Sequence, residues 1–179
     1  MRELGDRQMI GWFSTHRGSL ALEQGDRELA SDLLETGRMI FTEIGDRYGL
    51  AHPLNLLGEM CLQEGDAKVA QTLMRESLKL RLAVRDRHGI ADCLERLAWV
   101  AESNQQMEAA AQLLSATEAL RTSLGIRLGV TEEPIFAQHK QSVLMALGPE
   151  RFAACWEDGR TLKAEDVCSQ LENLKSYPT

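Results

Sequence analysis

Apolar side chains recur at three- and four-residue spacing along most of this chain, the pattern of amphipathic helices that bury one face. It is clearest between Gly49 and His88. There Leu54, Leu57, Gly58 and Cys61 line one side of a first helix, and Ala70, Leu73, Met74, Ser77, Leu78 and Leu80 continue on a second. Gly65-Asp66 between them predicts a turn, with Gly65 in the left-handed conformation that ends a helix and Asp66 capping the next. Pro53 is expected in the first turn of its helix, where a missing N–H is tolerated. Gly58 is expected to let the partner helix approach closely.

The same stretch recurs in weaker copies. A shift of 40 residues places Gly25-Asp26 on Gly65-Asp66, Ala30 on Ala70 and Ala110, Leu33 on Leu73 and Leu113, and Gly49 on Gly89 and Gly129. A fixed period of this size predicts stacked helical hairpins, because one hairpin cannot bury its own apolar face. The first copy has a less regular leading helix, near Arg7 to Glu23, carrying Met9, Ile10, Trp12, Phe13, Leu20 and Leu22. Gly37 on its second helix predicts a close helix crossing. The third copy, Gly89 to Leu128, replaces the Gly-Asp turn with Asn104-Gln105-Gln106, and Asn104 is expected to take the left-handed position.

Three such repeats occupy residues 7–128, and residues 129–179 are expected to form capping helices, the whole reading as one helical domain of residues 1–179. Thr131 with Glu132, Glu133 and Pro134 marks a helix start, Gly148-Pro149 a break, and a last helix is expected from Lys163 to Leu174. Arg2–Asp6 resembles Thr42–Asp46, which ends a second helix. The chain is therefore expected to open at the tail of a repeat and to be a fragment of a longer protein.

Composition narrows the function classes. The 20 basic and 27 acidic side chains give a net charge of −7, which disfavours direct nucleic-acid binding and an anionic membrane surface. No apolar run reaches the length needed to span a bilayer, and the N-terminus lacks a signal-peptide core. Cys61, Cys93, Cys155 and Cys168 form no C-x-x-C pair, so reduced core thiols in a cytoplasmic protein are expected. His16, His52, His88 and His139 show no metal-ligand spacing and are expected at surfaces or turns. Arg85-Asp86-Arg87-His88 is expected to be a solvated linker. Neither a phosphate-binding loop nor a catalytic constellation is present in the sequence, so no cofactor, no metal and no enzymatic activity are expected.

Leu54, Leu57, Gly58, Cys61, Ala70, Met74 and Ser77 occupy the consensus places of a tetratricopeptide repeat, at a period of 40 instead of 34. The closing segment, Ala109 to Arg121 and then Leu147-Gly148, Phe152, Trp156, Gly159-Arg160 and Leu162, follows an ending found in one group of such proteins. The chain thus resembles the tetratricopeptide-like C-terminal regions of large bacterial ATP-binding transcriptional regulators of the LuxR, maltose-activator and SARP kind. It departs from them at Arg17, where a leucine is usual, at Ser115 in place of glycine, and at Lys163 in place of a capping serine.

The resemblance implies an all-α, right-handed superhelix of antiparallel hairpins, with the first helices lining a concave groove. In this chain that places Trp12, His52, Asn55, Glu59, Asp92, Glu95, Trp99 and Glu102 on the binding side. The expected function is a non-catalytic interaction or sensor module of a bacterial signal-transduction or transcription regulator. Its partner would be a protein or peptide segment with basic and apolar side chains. The competing expectation for the tryptophans is packing, Trp99 against the cap and Trp12 against a further repeat. Alternative functions are a small-molecule effector site, or a structural scaffold that forms a homodimer through Trp12 and Phe13 at the open N-terminal end.

Overall fold

The structure is a computed structural model that describes residues 2–167, with side chains from residue 4 onward. It is all-α: the described residues form antiparallel helical hairpins and contain no strand. The helices are α1 (Arg2–Glu23), α2 (Arg27–Ile44), α3 (Arg47–Gln63), α4 (Ala67–Ala83), α5 (Arg87–Ser103), α6 (Met107–Leu124), α7 (Glu132–Leu147) and α8 (Pro149–Arg160). Residues 164–167 are again helical, and the rest of the helix expected up to Leu174, with Cys168, lies outside the described residues. The helices fall into two compact units, Met1–Arg85 and Asp86–Thr179.

The helix boundaries follow a period half as long as the one read from the apolar pattern. Gly25, Gly45, Gly65, Arg85, Gln105 and Gly125 all have positive φ, one every 20 residues. Each ends a helix. The residue after each of the first four is an aspartate that caps the next helix: Asp26, Asp46, Asp66 and Asp86 accept the backbone N–H of Leu29, Gly49, Val69 and Gly89 at 3.2, 2.9, 3.0 and 3.0 Å. Asp86 is thus a helix cap, and Arg85-Asp86-Arg87-His88 is more than a solvated linker.

This register changes three expectations. α3 begins at Arg47, so Pro53 lies inside the helix and not in its first turn. The carbonyl of Gly49 consequently lacks its usual donor. In the third repeat Gln105 (φ 60), not Asn104 (φ −82), takes the left-handed position. Position in the turn decides this, because the Gln105 and Gln106 N–H groups must reach the carbonyls of Glu102 and Ala101. Finally, Arg2–Asp6 is not a separate helix tail: α1 runs unbroken through Gly5-Asp6. Nothing lies within 4 Å of a Cβ built at Gly5, so no neighbouring element forces a reversal there.

In the first unit α1 packs on α2, α3 on α4, and the two hairpins meet chiefly through α2 and α3. Ala21, Ala30, Leu34, Leu56, Leu57 and Met60 form a buried cluster, with Leu22 and Leu73 against it. The expected close approaches occur. A Cβ on Gly37 would collide with Thr15 Oγ1 and sit 3.2 Å from the Gly11 carbonyl oxygen, so α1 and α2 cross there. A Cβ on Gly58 would lie 2.8 Å from Met74 Cγ, which marks the α3–α4 crossing. Ser77 hydrogen-bonds the Ala51 carbonyl at 2.6 Å and ties α4 to α3.

In the second unit α5 packs on α6, and α8 and α7 pack on α6. Ser115 donates to the Trp156 carbonyl at 2.5 Å, so the side chain that departs from glycine has a defined partner. Thr131 makes no side-chain cap for α7; Glu132 instead accepts the Gly129 N–H at 2.9 Å. Cys93 and Cys155 are buried, as expected for core thiols, whereas Cys61 is only half-buried. Burial, then the carboxylates of Glu64 and Asp66, push the Cys61 thiol above its ordinary value.

Candidate functional site

The residues expected to line a concave groove divide between the two units, and each half has its own fate. In the second unit Asp92, Glu95, Trp99 and Glu102 occupy one face of α5. Glu95 is buried and forms a bidentate pair with Arg121 of α6, at 3.2 and 2.8 Å. Asp92 lies 3.6 Å from the same guanidinium. Trp99 stacks on His139 of α7 with ring centroids 4.8 Å apart and planes 19° apart. Glu102 meets His139 Nδ1 at 2.6 Å.

These contacts correct the expectation of an open acidic groove at α5. Glu95 is committed to Arg121 of α6, and Trp99 and Glu102 meet His139 of α7. His139 is likewise half-buried and hydrogen-bonded, not a surface or turn residue. The packing alternative for Trp99 is the one the geometry matches.

In the first unit the structure brings Trp12 and His52 together. Trp12 contacts the rings of His16, Phe41, Tyr48 and His52, with centroids 5.8, 5.2, 5.7 and 6.1 Å away. Phe41 is buried, while His16 and Tyr48 are exposed, so the cluster is an aromatic patch with a buried base. Glu59 is half-buried on the same helix as His52, whereas Asn55 is buried and does not present its side chain to an open groove.

A feature absent from the sequence reading lies elsewhere in this unit. α2, α3 and α4 line an open cleft of about 860 Å³. Its floor is Leu50, Leu54, Leu57 and Met60 of α3, with Val69 and Leu73 of α4 on one side. Its walls carry Glu28, Asp32, Glu35, Glu64 and Glu76 against only Arg27 and Arg38, five carboxylates to two guanidiniums. Arg38 pairs with Glu35 at 2.6 Å, and Arg27 with Glu64 at 3.1 Å. After those two pairs the cleft keeps a surplus of three carboxylates. None of Trp12, His52, Asn55 and Glu59 lines it. A signal for it was present: Glu28, Asp32 and Glu35 are spaced to share one face of α2, but the repeat consensus directs attention to the first helix of each hairpin.

The second unit has a smaller cleft of about 450 Å³ between α6 and α7, where Arg127 and Lys140 face Glu118 and Glu133. Lys140 is already paired with Glu118 at 3.1 Å and lies 4.0 Å from the centre of the Trp156 ring. Among the described residues no three His, Cys, Asp or Glu side chains are placed to hold a metal ion, and no described helix is long and apolar enough to cross a membrane. Comparison of the chain with protein-family models, with curated proteins and with solved structures finds no match in any of the three.

Proposed function

We propose that this chain is a non-catalytic interaction module that holds a protein or peptide segment with apolar and basic side chains. The α2–α3–α4 cleft is the proposed seat. The observation that carries the reading is the combination of a leucine and methionine floor with a surplus of three carboxylates on the walls. Two helices flanking a third provide a groove of the shape into which an amphipathic helix lays its apolar side. The acidic rim would attract a basic segment and fix its orientation more than it adds affinity. The cleft is open to solvent, which suits a chain segment better than a small effector that needs enclosure. The repeat pattern and its resemblance to the C-terminal regions of bacterial transcriptional regulators support placing such a module in signal transduction.

Titration calorimetry with an amphipathic helical peptide of leucine and lysine tests the proposal. The wild-type chain is expected to bind it, and Asp32→Lys with Glu76→Lys, one on each wall, to weaken binding at least tenfold. Glu150→Lys with Glu157→Lys changes the net charge equally, far from the cleft in sequence and within the other unit, and is expected to leave binding nearly unchanged. Equal loss in both double variants, or no binding by the wild type, would sink the proposal.

A further inference from the structure

α1 buries only part of its apolar surface. Met9, Ile10, Phe13 and Leu20 are 67, 54, 66 and 52 % exposed. Met9, Phe13 and Leu20 fall on one side of the helix, with Ile10 at its edge, at 100° per residue. The same side of α3 shows what this surface is made for. Forty residues on, Met9, Phe13 and Leu20 correspond to Gly49, Pro53 and Met60, all buried in α3. The α1 side is therefore a helix-packing surface that no helix among the described residues covers.

Charge arrangement selects the occupant. Asp6 and Arg17 are exposed on this side, three turns apart, at opposite ends of the Ile10–Phe13 pair. An antiparallel copy of α1 crossing midway between Ile10 and Phe13 sets each Asp6 opposite the other copy's Arg17, and each Ile10 opposite the other's Phe13. A parallel copy sets like charges together. The stripe is thus self-complementary about a two-fold axis, the condition for an isologous interface.

We propose that two copies of this chain associate through antiparallel α1 helices, with Phe13, Met9 and Ile10 at the centre and reciprocal Asp6–Arg17 pairs at the edges. Only a few apolar side chains carry the contact, chiefly Met9, Ile10 and Phe13, with Leu20 farther along, so the interface falls below the standard size and the dimer is a weak one. This surface is separate from the cleft, and its failure would leave the cleft reading intact.

Sedimentation velocity on the full chain, over a concentration series at low and high salt, decides the matter. A monomer–dimer equilibrium that weakens with salt is expected, and Phe13→Glu is expected to give a monomer with unchanged helical circular dichroism. Asp6→Arg and Arg17→Asp should each weaken the dimer roughly tenfold, the scale of reversing two partly exposed ion pairs. The double variant D6R/R17D, and an equimolar mixture of the two single variants, should recover it. A strict monomer at the highest concentration would overturn the proposal and leave this surface to a helical hairpin of another polypeptide segment. A dimer indifferent to Phe13→Glu, or a double variant no better than the singles, would overturn it as well.

Discussion

Replacing Glu95 by alanine should unfold the chain far more readily than its position on a predicted groove suggests. Glu95 and Arg121 have side chains only 8 and 10 % exposed, joined by two hydrogen bonds of 2.8 and 3.2 Å. Removing the carboxylate leaves a guanidinium out of water with one remaining anion, Asp92 at 3.6 Å, whose own side chain is 48 % exposed. Loss of one partner from a buried pair costs about 3–5 kcal/mol, and the remaining Asp92 places this case near the lower end, about 3 kcal/mol. For a chain of this length that corresponds to a fall in thermal midpoint of about 6–12 °C. Replacing both residues, as Glu95→Leu with Arg121→Met, removes the orphaned charge along with its partner. The double variant should lie within about 1 kcal/mol of the wild type. Urea unfolding of the three proteins, followed by circular dichroism, measures each value. A cost below about 1 kcal/mol for Glu95→Ala, or a double variant no better than the single, would refute the reasoning.

Further substitutions test the packing and the turns. Gly37→Ala gains roughly 1 kcal/mol of helix propensity but drives a methyl group into Thr15 Oγ1, a conflict costing roughly 1–3 kcal/mol. The net loss should shrink in a Thr15→Ala background, and equal losses in both backgrounds by urea unfolding would contradict the crossing described. Gln105→Gly and Arg85→Gly relieve side chains held at φ 60 and 55, and Gln106→Asp supplies the cap that α6 lacks. Each should stabilise by about 1 kcal/mol and raise the thermal midpoint by roughly 2–4 °C, and a lowered midpoint for any of them would count against the 20-residue register.

The sequence alone determined the helical hairpins and most of their boundaries, because helix periodicity, turn glycines and capping aspartates act within a few residues of one another. Gly65-Asp66 is such a local instruction, and so is the glycine at a crossing, since Gly37 and Gly58 lie on the stripes that must approach. The 20-residue period of caps is equally local, but in the 40-residue apolar repeat Asp46 reads as the end of a second helix and Asp86 as a linker charge, so the start of α3 at Arg47, and with it the interior position of Pro53, is not legible from that repeat. Tertiary structure decided what each polar residue on those helices is for. Glu95, Trp99 and Glu102 look like groove residues until α7 and Arg121 meet them, and the cleft exists only because carboxylates on α2 and α4 flank leucines of α3. Burial and charge surplus are properties of several helices at once, and no spacing along one helix encodes which neighbour covers which face.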